Sequence, residues 1–315
     1  MTFPSTLPAG ALADLPRARH YGQFYGLAPL PEDGPLLVVH GNCQAEALRV
    51  LLDGAPRSPC TSVRVPALHE IAADEMPLLA RLLDRADVLL TQPVAGGYHG
   101  LPLGTADVRR AASRARTVVF PIVRFVGLHP YQVVTSAPEL RPPEVPYHDL
   151  RTVLRASGAA PAPTLDAERL EATTAWSLRA LRLREEAAGA VPVHDLLRAA
   201  GTRAANTINH PGNPVLLGLA RRLQRTLGWP ETAEDPGREL LDSVHAPLEE
   251  QVCRLLPQGD GTVRPDWVVD GEALPDARVV AAQLAWYLDH PDVVRVVLNR
   301  ASEQLRHLGR RPDAR

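Results

Sequence analysis

Apolar and polar positions along the chain switch between two periods, and the switches mark its elements. Residues 36–39, LLVV, form a short apolar run, half of it β-branched, which predicts a buried parallel strand. His40-Gly41-Asn42 breaks the run, and from Cys43 the period becomes helical, with Ala47, Leu48, Leu51 and Leu52 on one face. The same alternation recurs. A weaker strand is predicted over 61–65, and a helix over 74–84 with Met76, Leu79, Leu82 and Leu83 as its apolar set. A strand follows over 88–90, ended by Thr91-Gln92-Pro93. A glycine-rich loop covers 95–100, a helix with Thr105 as N-cap covers 105–114, and a strand over 117–120 stops at Pro121. Repeated β/α alternation argues an open, mainly parallel sheet with helices on its faces.

The second half reads differently. Residues 157–163 are a Ser, Gly, Ala and Pro stretch. Helical periodicity then covers 165–188, 194–200, 214–227, 273–289 and 292–308, the last two broken at His290-Pro291. Residues 201–213 read as a polar loop. The expected organisation is an extended arm over 1–34, an α/β core over 35–156, and a mainly helical region over 157–315 packing on the carboxyl edge of the sheet. The charges of the long helix, Arg179, Arg182, Arg184 and Glu185, are expected to face solvent.

Composition narrows the chemistry. The chain has 315 residues, 45% hydrophobic but only 4% aromatic, so aliphatic side chains must fill its core. Its formal charge of -2 gives no argument for nucleic-acid binding. All 34 basic residues are Arg, which excludes Schiff-base chemistry and a Walker lysine. Cys43, Cys60 and Cys253 are too scattered for a disulfide framework or a zinc site, and no His pair has metal-ligand spacing, so no metal is expected. No secretory h-region and no membrane-spanning run is visible, and a cytoplasmic location is expected.

In open parallel sheets ligands sit at the carboxyl ends of the strands. Three polar segments gather there: His40-Gly41-Asn42-Cys43-Gln44, Gln92-Pro93, and residues 121–130, PIVRFVGLHP. Cys43 starts a helix, where unpaired N–H groups and the helix dipole favour a thiolate. Asn42 can cap that helix, and Gly41 permits the sharp turn.

The order GNCQ, QP, F-x-G-x-HP and NHP-x-N resembles the WcbI family, acetyltransferases of capsular polysaccharide biosynthesis. Here the pieces are residues 41–44, Gln92-Pro93, residues 125–130 and residues 209–213. The resemblance spans about residues 36–225. It implies an α/β core distantly like the SGNH hydrolases and flavodoxin, a coenzyme A site, and acyl transfer to a sugar hydroxyl. Without lysine, arginines must hold the CoA phosphates, and the basic edge of the long helix is one candidate for them.

Acyl transfer from a thioester needs a nucleophile or an activated acceptor, a base and an oxyanion hole. The expected catalytic set is Cys43, His210, Asn42 and Gln44. Cys43 is either nucleophile or pocket wall. The N–H groups of Cys43 and Gln44 with the Asn42 amide form the oxyanion hole. His210 is the first candidate base, ahead of His129 and His40, and Asp149 is a candidate orienting carboxylate. Substrate and cofactor contacts are expected from His40, Gly41, Gln92, Arg124, Phe125, His129, Asn209 and Asn213. Three functions share this constellation: an acyltransferase using acyl-CoA with a sugar or small-molecule acceptor, a cysteine-dependent hydrolase, and a non-catalytic CoA-binding or other ligand-binding protein.

Overall fold

The computed structural model describes residues 16–32, 34–135, 137–256 and 263–310. The chain forms two compact units. The first holds the chain up to Ile122 with Arg184–Val193 and Leu216–Leu240; the second holds Val123–Leu183, His194–Val215 and the chain from Leu241. The expected boundary at residue 156 thus falls inside the second unit, and two later stretches return to the first.

Where it is described, the N-terminal arm is helical rather than extended. Its two short helices are α1 (Pro16–His20) and α2 (Gly22–Tyr25). Phe24 is fully buried in the core of the first unit, packed with the cluster that includes Leu79, Leu82 and Leu89. Arg17 pairs with Glu75 at 3.1 Å and with Glu70 at 3.3 Å, fastening the arm by charge as well. Residues 1–15 lie outside the described residues.

The alternation predicted from the sequence is present as β1 (Leu36–His40), α3 (Cys43–Asp53), β2 (Thr61–Ser62), α4 (Met76–Arg85), β3 (Val88–Thr91), α5 (Thr105–Ala111) and β4 (Arg116–Val119). The four strands pair in parallel in the order β2-β1-β3-β4. β1 is buried along its whole length, as a strand covered on both faces must be. β2 is an edge strand that pairs only through Thr61 and Ser62, shorter than expected, because the chain turns away before Pro66. The order reverses between β1 and β3, so the carboxyl ends of these two strands form the switch point where an open sheet leaves a crevice. His40 faces Thr91 across that end.

The second unit is built from small antiparallel pieces and helices. β5 (Gln132–Val133) pairs with β6 (His148–Asp149), which leads into α6 (Leu150–Ala156). The long helix α7 (Ala167–Ala188) and α8 (His194–Ala200) match the predicted periods. Residues 201–213 are not a plain loop: β7 (Ala205–Thr207) and β8 (His210–Pro211) form a bulged hairpin before α9 (Asn213–Leu227). β9 (Val244–His245), α10 (Glu250–Leu255), β10 (Trp267–Val269) and β11 (Glu272–Leu274) follow, and the three strands form a sheet in the order β11-β10-β9. The last helices are α11 (Asp276–Asp289), α12 (Pro291–Arg300) and α13 (Ser302–His307). Proline fixes the break at residue 291 as expected, and a second break falls at Ala301. The core of this unit includes Val126, Tyr147, Ile208 and Trp267. Glu185, expected in solvent, is buried in the first unit and accepts the Val193 N–H at 2.7 Å. Among the described residues no helix is long and apolar enough to cross a membrane.

Candidate active site

β1 delivers His40, Gly41 and Asn42 to the switch point, and α3 begins there. Asn42 is the N-cap: its side-chain oxygen accepts the Gln44 N–H at 2.9 Å. One donor expected in an oxyanion hole is therefore engaged by the cap. The Asn42 N–H donates to Gln92 Oε1 at 2.8 Å, and Gln92 Nε2 donates to Gln44 Oε1 at 3.2 Å and to the Pro121 carbonyl at 3.4 Å. Gln92 is fully buried. Its carboxamide joins the ends of β1, β3 and β4 from inside, so it supports the turn rather than presenting an amide to substrate.

This lock explains Gly41. A Cβ there would lie 2.6 Å from Gln92 Oε1 and 2.9 Å from its Cδ. The glycine is required by close approach, not by a left-handed backbone. Thr105, expected as an N-cap, begins α5 after the cap residue Gly104. Its hydroxyl accepts the Val94 N–H at 2.8 Å and donates to the Gln92 carbonyl at 2.9 Å, tying down the loop after β3.

Cys43 is half-buried at the first position of α3. Burial pushes its thiol up to about 11, and the backbone N–H groups of Gln44 and Cys43 offset this only in part. The depressed pKa expected from the helix terminus is therefore not found, because desolvation outweighs the terminus. His40 is buried, with Nδ1 3.1 Å from Thr91 Oγ1, and burial lowers its pKa to about 4. It is a neutral imidazole beneath the turn.

In the same unit, connected to this turn through Gln92, lies a cleft of about 510 Å³. Its walls are mainly apolar, from Pro93, Val94, Val119, Pro121 and Ile122, with Arg109 and Arg184 among its lining residues. Pro93 and Pro121 flank Gln92 and the carbonyl it binds, so cleft and Cys43 turn share one support. Arg184 belongs to the basic edge of the long helix, expected in solvent or at the CoA phosphates, whereas Arg109 sits within an ordinary helical pattern that does not mark it.

The remaining expected residues belong to the second unit. Phe125 is buried; its N–H donates to the Ile208 carbonyl at 2.7 Å, and its ring occupies the space a Cβ on Gly127 would need, 2.3 Å from Phe125 Cζ. The F-x-G pattern is therefore a packing unit. Arg124 is exposed. His129 is buried, its Nδ1 3.1 Å from the Pro247 carbonyl, and burial lowers its pKa to about 4. Asn209 accepts a hydrogen bond from Tyr147 Oη at 2.9 Å, and Thr207 Oγ1 lies 3.1 Å away. His210 is half-buried, and burial lowers its pKa to about 4. Its Nδ1 has no hydrogen-bond partner among the described residues. Asn213 opens α9, and Gly212 before it allows close approach of the Arg203 carbonyl, 2.3 Å from where a Cβ would stand. Asp149 orients no histidine: it caps α6 and pairs with Arg151. His148 instead binds Tyr287 Oη at 2.7 Å. Tyr147, which holds Asn209, carries no local sequence pattern that marks it, whereas Thr91, which holds His40, stands in the Thr91-Gln92-Pro93 strand end. The first unit thus gathers His40, Gly41, Asn42, Cys43, Gln44 and Gln92, and the second gathers Arg124, Phe125, His129, Asn209, His210 and Asn213.

Among the described residues no group of three His, Cys, Asp or Glu side chains is arranged to hold a metal ion.

A family described as "Polysaccharide biosynthesis enzyme WcbI" matches this chain over residues 36–232. No curated protein matches. A solved structure of WcbI, described as a novel polysaccharide biosynthesis enzyme, is similar in fold with a TM-score of 0.70 and 20% sequence identity. The match covers 87% of this chain and 99% of that one, and the form solved is the native protein without a disulfide bond between coenzyme A and one of its cysteines.

Proposed function

We infer that this chain, which belongs to the WcbI family of polysaccharide biosynthesis enzymes, binds acyl-CoA in the cleft connected to the Cys43 turn through Gln92 and transfers the acyl group to a hydroxyl or amine of a sugar or small-molecule acceptor. The observation that carries this reading is the pairing of a thiol at the switch point with a mainly apolar cleft that has two arginines in its lining. An apolar wall suits the pantetheine arm, and guanidinium groups suit phosphates. The description of the related structure, which speaks of a disulfide between CoA and a cysteine, supports CoA as the ligand.

The state of Cys43 bears on the route. A thiol at about 11 leaves about one molecule in 10⁴ ionised at pH 7, so covalent capture of the acyl group would need a base to take the thiol proton. Direct transfer does not: a base removes the acceptor proton as its oxygen or nitrogen attacks the thioester carbonyl, and Cys43 stays a neutral thiol. CoA leaves as the thiolate and takes up a proton. We favour direct transfer. His210, from the Asn209-His210-Pro211 motif, is the proposed base. Burial keeps its imidazole neutral at pH 7, the form that accepts a proton. Asn42 Nδ2 and the Cys43 N–H are the proposed oxyanion donors, since the Gln44 N–H is held by the cap.

The test is release of free CoA from acetyl-CoA with and without added saccharides. Acceptor-dependent release is the expected result. Release of equal rate without acceptor would assign a hydrolase, and binding without release a non-catalytic protein. His210→Ala should lose roughly 10²- to 10⁴-fold in rate while keeping CoA affinity.

A further inference from the structure

Helix α11 of the second unit has the sequence of a buried helix, yet one of its sides is uncovered. Over Asp276–Asp289 it reads DARVVAAQLAWYLD, apolar on every side, a pattern found where a helix is covered all round. Val279, Gln283 and Tyr287 are buried, and Val279 packs in the cluster with Tyr147 and Trp267. On the opposite side Ala277, Ala281, Ala285 and Leu288 are exposed, with Val280 and Leu284 half-buried along one edge. At 64% Leu288 is the most exposed large hydrophobic side chain among the described residues.

Two charges on this side oppose the helix dipole. Arg278 stands in the first turn, where a helix favours anions, and Asp289 is the last residue, where it favours cations. Both are exposed. Arg278 pairs with Glu144 at 3.0 Å, but its side chain stays 66% exposed and open to a second partner. Antiparallel packing against a second copy of the same helix corrects both placements. Each Asp289 then meets the N-terminal turn of the other copy, and each Arg278 meets the other's C-terminal turn.

The apolar positions select the same register. Residues rise equally along the two antiparallel helices. With Arg278 level with Asp289 of the second copy, Leu288 falls level with the gap midway between that copy's Ala277 and Ala281, and Leu284 with the gap between its Ala281 and Ala285. Large side chains of each copy thus enter gaps left by alanines of the other, as ridges enter grooves. We propose that α11 is the contact of a twofold-symmetric homodimer of this chain, with Leu284 and Leu288 seated between alanines of the second copy and an Arg278–Asp289 pair at each end. Such a contact is isologous, so every pair occurs twice. One helix face makes a small interface, below about 1,200 Å² in total, and the dimer forms reversibly at about 10–100 µM chain. The proposal is independent of CoA and of acyl transfer.

The test is sedimentation velocity on the full chain over a dilution series, without CoA. A monomer–dimer equilibrium is expected for the wild type. Leu288→Arg and Ala281→Arg, both at exposed positions, should each weaken the dimer by about 10-fold or more, since each sets a charge against its own copy at the centre of the contact. Either variant suffices if the other fails to fold, as read from its melting temperature. Arg278→Asp and Asp289→Arg should each weaken it by about 3-fold or more through two like-charged contacts, and the variant carrying both changes should return to within about 3-fold of the wild type. A wild type that stays monomeric up to about 500 µM, a folded Leu288→Arg or Ala281→Arg variant that dimerises as the wild type does, or a double charge variant no stronger than the single ones would overturn the proposal.

Discussion

Gly41→Ala is the smallest change that should unseat the turn bearing Cys43. The added methyl would lie 2.6 Å from Gln92 Oε1, 2.9 Å from Cδ and 3.0 Å from Cγ. Gln92 is fully buried and bonded at both ends of its amide, so it cannot swing away without losing the Asn42 N–H bond of 2.8 Å and the Gln44 bond of 3.2 Å. Overpacking of this sort costs about 1–3 kcal/mol, and a lost buried hydrogen bond adds about 1 kcal/mol. Reduced freedom of the unfolded chain returns about 0.4–1 kcal/mol, leaving a net loss of about 1–3.5 kcal/mol. Urea unfolding of wild type, Gly41→Ala, Gln92→Ala and the double variant measures it. The two single changes should be strongly non-additive, because removing the Gln92 amide also removes what the methyl strikes. A Gly41→Ala variant within about 0.5 kcal/mol of wild type, or two changes that simply add, would refute the close-approach account.

Two further outcomes follow from the buried titratable groups. Burial lowers the pKa values of His40, His129 and His148 from 6.5 to about 4, so below pH 6.5 the unfolded chain binds protons that the folded chain resists. Stability should therefore fall between pH 6.5 and pH 4, read as a lower urea midpoint at pH 5 than at pH 7; an equal or higher midpoint at pH 5 would contradict the burial of these rings. Cys43 alkylation by iodoacetamide, followed by peptide mapping, should be slow at pH 7 and rise about tenfold per pH unit toward 11, whereas a rate already level by pH 8 would show a thiolate that burial does not suppress.

The elements that sequence made legible are those whose stabilisation is local. β1 and α3 follow from LLVV and the period after Cys43, and each was placed to within a residue at its start. β7 to β11 were not visible, because two- and three-residue strands are defined by distant partners: Val268, for example, pairs with both His245 and Ala273. The candidate residues were legible as motifs, but not their roles. Gln92 reads as a polar residue at a strand end. Only its burial shows that it braces the turn. Cys43 illustrates a competition that sequence cannot weigh. The helix terminus that should acidify it is visible in the chain, whereas the burial that overrides the terminus comes from the folded surroundings. Asp149 reads as a candidate orienting carboxylate, yet its side chain is taken by Arg151 two positions on.

The central claim is that the cleft connected to the Cys43 turn through Gln92 holds CoA, with Arg109 and Arg184 meeting its phosphates. Isothermal titration of CoA into the wild type and into an Arg109→Ala, Arg184→Ala double variant tests it most directly. The account predicts saturable binding by the wild type that weakens as salt rises, and at least a 10-fold loss, about 1.4 kcal/mol, in a double variant of unchanged melting temperature. No binding by the wild type, or equal affinity in the folded double variant, would contradict it.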